Sequence, residues 1–432
     1  MDVVLPPRER KGGRTMTFQK YLTQIARGFI FAFALTSTPT FAAVSCSPPS
    51  PNGASACFID PSLDAAALCN DGTLPAFSIR PGSQAGAATW IIWLEGGGEC
   101  VDQASCAKRA QAPGGMALLS SDGFTAQGGS GMLSSSSSVS PILYNANVMI
   151  VHYCSSDDWS GNRASVTSFN PTDPTTWHFQ GRRIASAAIA SLGELDQSFS
   201  QASHILIGGS SAGGLGATIL ANDLIPVLPQ APDIRLANDA GFTINIGQYD
   251  PTAAPPYIYS GEIDAFDTYF TSGINLWHGR GDLPCSASAH TVQAQVDCYN
   301  MSLVLQHGYI SVPTFVAESQ LDLAQLSKEI CPQNYGNCAV SRDGTTPTGK
   351  YATAFGNMMA HELVGSGSNA RYSVVAPDSF LHVILTSPTV FTSKYSFPAG
   401  KMSPREAFDH WLRTGGQARV VNIGNAPGVV AH

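Results

Sequence analysis

The segment 208–214 reads Gly-Gly-Ser-Ser-Ala-Gly-Gly and follows an apolar run at 205–207. With Ser211 at its centre the segment fits Gly-x-Ser-x-Gly, because Gly209 and Gly213 fill the two glycine positions. Shifting the register by one residue would put alanine at the last glycine position. This pattern is typical of a sharp strand-to-helix turn that exposes a serine hydroxyl. A phosphate-binding loop is the alternative, but it needs a lysine that this segment lacks. Ser211 is therefore the candidate nucleophile.

A serine hydroxyl needs a histidine to remove its proton. In hydrolases with this turn the chain order is serine, acid, histidine. His382 follows a predicted strand at 372–375 and is the candidate base. His361 and His410 fall inside helical patterns, which favours structural roles. His361 and the glutamate after it resemble half of a zinc-protease motif, but Gly365 stands where the second histidine belongs.

Two aspartates qualify as the acid that orients the imidazole. Asp239 follows a predicted strand at 234–237, and Asp322 follows one at 314–317. Catalytic groups gather at the carboxyl ends of parallel strands, so both positions are suitable. Strand order alone does not choose between them.

A glycine loop supplies candidate donors for an oxyanion hole. The predicted strand at 90–94 runs into Glu95 and three glycines at 96–98. Backbone N–H groups of such loops stabilise the negative charge that develops on a carbonyl oxygen during acyl transfer. The N–H of Ala212, directly after the candidate nucleophile, is the expected second donor.

Short apolar runs alternate with longer helical patterns along the chain. The predicted strands are 90–94, 148–151, 205–207, 234–237, 314–317 and 372–375, and the predicted helices are 179–195, 214–224, 321–328, 352–364 and 404–413. Such alternation indicates a mostly parallel sheet flanked by helices. We expect one α/β-hydrolase-like domain over 67–432, preceded by an irregular, Pro- and Ser-rich leader at 44–66.

The first 43 residues resemble a secretory signal peptide. Scattered basic residues precede an apolar run at 28–35 and a small-residue cleavage zone at 40–43. The run is too short for a permanent membrane span, and an uncleaved anchor is the alternative. Met16 is an alternative start. Removing 1–43 takes away six basic and two acidic side chains, so the net charge moves from -8 to -12.

Composition places the chain among exported enzymes. Charged residues make up 12% and hydrophobic residues 44%, and nothing basic suggests a nucleic-acid partner. All ten cysteines follow the cleavage zone, and an even count favours disulfides. The close pairs 100/106, 285/298 and 331/338 suit local loops, but the sequence does not fix the connectivity. The Cys-x-x-Cys spacing of zinc sites is absent, so we expect no metal and no cofactor.

Several motifs in one order resemble the pectin acetylesterase and Notum carboxylesterase family. They lie at 69–72, 94–100, 153–161, 178–181, 209–214, 315–326 and 379–382. In the family's acid loop the aspartate is followed three positions later by glutamine. Asp322 and Gln325 match that spacing, so the resemblance favours Asp322 over Asp239. The implied catalytic triad is Ser211, Asp322 and His382.

The resemblance also implies an oxyanion hole and two disulfides. The oxyanion hole would involve Gly97, Gly98 and Ala212, and the disulfides would join Cys100 to Cys106 and Cys69 to Cys154. Trp159 is predicted to line the substrate site, with a packed core tryptophan as the alternative. The chain departs from the family where a tryptophan usually lies within the glycine loop or just before the cysteine, because Gly98 and Glu99 stand there.

The sequence thus predicts a secreted serine carboxylesterase that removes an acetyl group from a glycan such as pectin. A fatty-acyl deacylase of Notum type and a catalytically silent glycan-binding protein are the alternatives. The expected partner is an extracellular ester, with no nucleic acid and no stable membrane anchor. Pectin is a polyanion, so the acidity of the chain favours a neutral ester unless a basic patch lies at the cleft.

Overall fold

The computed structural model describes residues 44–167, 176–246, 265–330, 347–365, 372–398, 400–415 and 421–423. The predicted signal peptide and the cysteines at 331 and 338 lie outside these ranges. The described residues all belong to one compact unit.

The strands within these ranges are β1 (Ser45–Cys46), β2 (Ser55–Phe58), β3 (Ala76–Arg80), β4 (Thr89–Leu94), β5 (Asn147–Val151), β6 (Arg163–Thr167), β7 (Thr176–Phe179), β8 (His204–Ser210), β9 (Asp233–Asp239), β10 (Thr314–Ala317), β11 (Tyr372–Ala376), β12 (Tyr395–Phe397), β13 (Gly400–Met402) and β14 (Val421–Ile423). The α-helices are α1 (Gln103–Gln111), α2 (Gly181–Leu195), α3 (Ala212–Ile219), α4 (Ala221–Leu224), α5 (Ala265–Trp277), α6 (Leu283–Ser288), α7 (Val292–Asp297), α8 (Met301–Gln306), α9 (Leu323–Ile330), α10 (Pro347–Val364) and α11 (Pro404–Arg413).

The main sheet has the order β1-β2-β3-β5-β4-β8-β9-β10-β11-β14 within the described ranges. From β5 to β14 all neighbouring strands are parallel, whereas β1, β2, β3 and β5 pair antiparallel. The predicted mostly parallel sheet is confirmed, and its six predicted strands are present. The antiparallel edge, the strands β6, β7 and β12 to β14, and the helices α1 and α5 to α8 were not predicted.

Both faces of the sheet are covered. In β4, Trp90, Ile92 and Leu94 belong to one hydrophobic cluster, and Ile91 and Trp93 belong to the other. Successive side chains of a strand point to opposite faces, so a strand that is apolar at every position is buried on both sides. This is why the strand read as a continuous apolar run.

The leader prediction for 44–66 was wrong in one respect, because this segment is not wholly irregular. Its strands β1 and β2 pair with each other, and β2 extends the sheet at the edge of β3. A disulfide joins Cys46 to Cys57 across the β1–β2 pair. The strands are too short, and too rich in small residues, to stand out in the sequence.

The parallel strands bring several loops to one edge. Leu94 pairs with Gly209, and Ala317 pairs with both Asp239 and Val375, so β4, β8, β9, β10 and β11 end at nearly the same level. The loops that follow them carry the glycine segment, Ser211 and the two candidate acids. No described helix is long and apolar enough to cross a membrane.

Candidate active site

Ser211 lies at a sharp turn between β8 and α3. Its backbone has φ +57° and ψ -125°, a conformation that costs energy for a residue with a side chain. The chain passes so close to the neighbouring strand that a Cβ on Gly213 would lie 2.0 Å from the Leu94 carbonyl oxygen. The Ser211 N–H donates to the Asp239 carbonyl at 2.7 Å, which holds the turn. Close packing of the backbone therefore explains why glycine occupies position 213 of the motif.

Three distant side chains meet at this turn. The Ser211 hydroxyl donates to His382 Nε2 at 2.7 Å, and His382 Nδ1 donates to Asp322 Oδ2 at 2.6 Å. Asp322 is fully buried, whereas the His382 side chain is 29% exposed. This geometry allows the imidazole to accept the serine proton while the carboxylate holds the other ring nitrogen.

The carboxylate of Asp322 is fixed by the helix that follows it. Its Oδ1 accepts the Gln325 N–H at 2.8 Å, in the manner of a helix N-cap at the start of α9. Gln325 in turn donates through its side chain to the Phe242 carbonyl at 3.3 Å. One oxygen of Asp322 thus anchors the helix, and the other faces the histidine.

The pKa of His382 reflects two opposing effects. Burial alone would lower it, but the charge and hydrogen bond of Asp322 outweigh burial and raise the pKa above its ordinary value. The imidazolium that forms when the serine loses its proton is therefore stabilised by its neighbour.

Asp239, the other acid that the sequence left open, does not contact the histidine through a hydrogen bond. Its Oδ1 accepts the N–H groups of Ile384 and Leu385 at 2.8 and 2.9 Å, and its Oδ2 accepts the Ser210 hydroxyl at 2.8 Å. Burial raises the pKa of Asp239, although these hydrogen bonds oppose the rise. Asp239 therefore fixes the loop that follows His382.

A second buried carboxyl, which the sequence analysis missed, lies beside the triad. Glu318 is fully buried, and its Oε2 accepts the Phe242 N–H at 2.9 Å. Burial, followed by the charge of Asp322, raises the pKa of Glu318 well above its ordinary value. A protonated Glu318 is able to donate to the Asp322 carboxylate. In the sequence, the only feature that pointed to Glu318 was its position four residues before Asp322.

The glycine loop takes a conformation that requires glycine. Gly97 has φ +147°, and its carbonyl accepts a hydrogen bond from Arg109 Nη1 at 2.6 Å. The C=O and N–H of a trans peptide point in opposite directions, so the Gly98 N–H is directed away from Arg109. Gly98 and Ala212 border the same cavity as Ser211. Their N–H groups are suitable oxyanion donors, and Arg109 was not singled out from the sequence.

Disulfides support this loop. The structure contains the Cys100–Cys106 and Cys69–Cys154 bridges that the resemblance implies, and the sequence-adjacent pair Cys285–Cys298 is also joined. The first bridge ties the end of the glycine loop to α1, the helix that carries Arg109.

The prediction that Trp159 lines the substrate site was wrong, because this residue lies in the protein core. The side chain is fully buried and its indole N–H donates to the Glu95 carbonyl at 3.0 Å. A Cβ on Gly216 would lie 2.5 Å from the indole, so the ring packs closely against α3. Trp159 therefore packs in the core against α3, which agrees with the alternative role of a packed tryptophan.

Ser211 and His382 open into a cavity with a volume of about 420 Å³, including its mouth. Apolar and polar side chains share its wall. The described lining residues are Gly98, Glu99, Asp158, Ser211, Ala212, Leu215, Ala240, Gly241, Thr243, Phe270, Ala324, Gln325, Lys328 and His382.

Comparisons with known proteins agree with the resemblance. A family model described as pectinacetylesterase matches residues 52–427. Pectin acetylesterase 11 of Arabidopsis thaliana is 32% identical over 189 residues, which cover 44% of this chain and 46% of the relative. Pectin acetylesterase 7 of the same plant is 30% identical over 266 residues, or 62% of each chain. The palmitoleoyl-protein carboxylesterase NOTUM of Mus musculus is 28% identical over 269 residues, covering 61% of this chain and 50% of the relative.

The chain thus spans between about half and three fifths of the length of these curated relatives. Among solved structures, the Wnt deacylase Notum from Drosophila matches with a TM-score of 0.66 and 22% identity. That match covers 88% of this chain and 96% of the Notum chain, and it shows a shared fold.

Proposed function

Because the chain belongs to the pectinacetylesterase family, we propose that it is an exported serine carboxylesterase that removes acetyl groups from an extracellular glycan such as pectin. The observation that carries the proposal is the pair of hydrogen bonds that joins Ser211 to His382 and His382 to Asp322. Ser211, Asp322 and His382 are the proposed catalytic triad.

The first half-reaction forms an acyl-enzyme. Ser211 Oγ attacks the ester carbonyl carbon while its proton passes to His382 Nε2, and Asp322 stabilises the resulting imidazolium. The tetrahedral oxyanion accepts hydrogen bonds from backbone N–H groups at the glycine loop and at Ala212. The carbon–oxygen bond to the alcohol then breaks, and His382 gives its proton to the departing sugar hydroxyl.

The second half-reaction releases the acid. His382 removes a proton from water, the hydroxide attacks the acyl carbon, and the bond to Ser211 Oγ breaks as the imidazole returns the proton to the serine. The products are a carboxylic acid and the free enzyme.

Export is supported by the predicted signal peptide and by the disulfides. Structural disulfides persist in oxidising compartments outside the cytosol. The described residues contain the Cys69–Cys154 bridge, which links positions 85 residues apart, together with three shorter bridges.

A fatty-acyl deacylase of the kind named for the Notum relative is the competing proposal. The polar and charged groups in the cavity wall, Glu99, Asp158 and Lys328, favour a short acyl group instead. A long hydrocarbon chain gains free energy when it is buried against apolar surface, and these groups do not offer it.

The test is a panel of acetylated pectin, acetylated xylan, and short- and long-chain acyl esters, with released acid measured. We expect acetyl release by the wild-type protein and a loss of 10⁴-fold or more in kcat for Ser211→Ala, since a triad serine contributes on that order or above. Ser210→Ala, which removes the adjacent hydroxyl, should retain measurable turnover. Full activity in Ser211→Ala would exclude the mechanism. Glycan binding without any turnover by the wild type would favour the silent binding protein.

A further inference from the structure

The wall of the cavity beside Ser211 contains three ionisable side chains that the proposed mechanism does not use. Glu99, Asp158 and Lys328 all border this cavity. The Glu99 side chain is 1% exposed, and Asp158 is 2% exposed. Ionisable groups are rarely buried this deeply unless they pair with one another.

The three side chains form one cluster, in which Asp158 interacts with Glu99 and Glu99 pairs with Lys328. The Lys328 ammonium forms an ion pair with Glu99 Oε1, and the Tyr269 hydroxyl donates to the same oxygen. The Lys328 ammonium also lies 5.2 Å from the centre of the Tyr269 ring. The ion pair is therefore anchored from a second element, α5, which carries the tyrosine.

The pKa values of the two carboxyls in the cluster move in opposite directions. Burial would raise the pKa of Glu99, but the charge and hydrogen bond of Lys328, together with the hydrogen bond from Tyr269, outweigh burial and hold the pKa below its ordinary value. Burial, followed by the negative charge of Glu99, raises the pKa of Asp158 well above its ordinary value. The wall thus combines the Glu99–Lys328 ion pair with a carboxyl whose protonated form is favoured by burial. It is strongly polar.

The position of Lys328 is coupled to the triad. Asp322 caps α9, and Gln325 and Lys328 lie three residues apart on that helix, both at the cavity. Side chains three apart share one face of a helix. Lys328 and His382 border the same cavity, and the charge of Lys328 lowers the pKa of His382, in opposition to Asp322.

We propose that the Glu99–Lys328 pair determines acyl-chain length by ending the acyl part of the cavity with a polar wall. This inference rests on the proposed esterase function. Each methylene buried against apolar surface strengthens binding about fourfold. Against this wall a longer chain would instead displace water from the Lys328 side chain, which is 31% exposed, without replacing its hydrogen bonds. Short acyl groups end before they reach the pair.

The experiment compares 4-nitrophenyl esters of acetate, butyrate, hexanoate and octanoate, in which the alcohol is constant. The test variant is Glu99→Gln with Lys328→Met, which removes both charges together and keeps the side-chain sizes similar. The matched control is Lys394→Met with Glu406→Gln. That Lys–Glu pair lies on the surface, with side chains 60% and 42% exposed.

We expect the kcat/KM of the wild type to fall at least 100-fold from acetate to octanoate. The test variant should reduce that ratio at least tenfold, and the control should leave it unchanged. A folded test variant that hydrolyses acetate with the wild-type chain-length ratio overturns the inference. A change that affects only acetylated glycan, with no change in the nitrophenyl series, also overturns it, because the pair would then contact the alcohol side.

A second measurement needs no variant. Alkyl fluorophosphonates with methyl to octyl chains label the wild-type protein, and the modified peptide is identified by mass. The inference requires labelling of Ser211 that slows as the chain lengthens, and equal rates for methyl and octyl overturn it. Failure of the esterase function itself has a different signature, because no ester of any length would then be hydrolysed in a Ser211-dependent manner.

Discussion

Ser210 and Ser211 are adjacent in the sequence, yet their hydroxyls form hydrogen bonds with different residues at the carboxyl edge of the sheet. The Ser210 hydroxyl donates to Asp239 at 2.8 Å, and the Ser211 hydroxyl donates to His382 at 2.7 Å. The strained backbone turn at Ser211 lets the two side chains point in different directions. As a result, the two buried aspartates have separate tasks: Asp322 contacts the imidazole, and Asp239 holds the loop that presents it.

Replacing Asp322 with asparagine tests the role of the acid. We expect kcat to fall about 10⁴-fold, because the amide cannot stabilise the imidazolium and favours the wrong tautomer. The pKa of His382 should also fall, since Asp322 is what raises it. Only neutral imidazole acts as a base, so activity is lost as the pH drops through the pKa of His382. The acid limb of the kcat/KM profile should therefore move to lower pH in the variant, and a move to higher pH would contradict this assignment.

Asp239→Asn is the matched comparison, because both aspartates are fully buried and accept backbone N–H groups. The asparagine retains one acceptor oxygen, which can keep either the N–H groups of Ile384 and Leu385 or the Ser210 hydroxyl and the Thr386 N–H, so part of the hold on this loop is lost. We expect a loss of about 2 kcal/mol in the free energy of unfolding and a decrease in kcat much smaller than for Asp322→Asn. Urea titration and initial rates measure both effects. A 10⁴-fold loss in the Asp239 variant with unchanged stability would mean that the two roles are reversed.

Glu318→Gln tests whether that carboxyl carries a proton. A glutamine reproduces a protonated glutamate, because its oxygen can accept the Phe242 N–H and its amide can donate to Asp322. We expect kcat/KM within about threefold of wild type and an unchanged acid limb, since no charge is removed. Glu318→Leu removes the donor and should lower kcat at least tenfold. A downward shift of the acid limb in Glu318→Gln would show that Glu318 is ionised.

Arg109→Met tests the support of the glycine loop. Without the hydrogen bond to the Gly97 carbonyl, the peptide that presents the Gly98 N–H is less well fixed. Loss of one oxyanion donor costs 10² to 10³ in kcat, so a misplaced one should cost about 10- to 100-fold, with little change in KM. Lys108→Met, on the adjacent exposed residue, is the control. An effect on KM alone would assign Arg109 to substrate binding.

We expect the free energy of unfolding to depend on pH because of Asp157. Burial raises its pKa from 3.8 to about 6, against hydrogen bonds from Ser155, Gly181 and Trp159. The folded protein therefore holds a proton that the unfolded chain releases between about pH 4 and pH 6, so this group contributes stability at low pH that is lost as the pH rises through 6. The difference corresponds to about 3 kcal/mol.

Asp157→Asn does not titrate, so its deficit in the free energy of unfolding relative to wild type should be largest near pH 4 and shrink by pH 7. Urea titrations with the disulfides intact measure this difference. A deficit that grows with pH would show that the Asp157 pKa is not raised.

The strongly local features of the site follow from short stretches of sequence. Gly209, Ser211 and Gly213 specify a turn because side chains at the glycine positions would strike neighbouring backbone, and continuous apolar runs such as 90–94 specify buried parallel strands. The resemblance added the choice of Asp322 and the two disulfide pairings.

The long-range features depend on how distant segments pack together in the folded chain. The task of Asp239 depends on how the loop after His382 folds back over β9, because the N–H groups that it accepts belong to that loop. Likewise, Glu99 and Lys328 are 229 residues apart and read as ordinary charged residues until the sheet brings their elements together. Trp159 read as a substrate contact because its motif lies near the site, but burial against α3 is a property of packing, which a single sequence does not reveal.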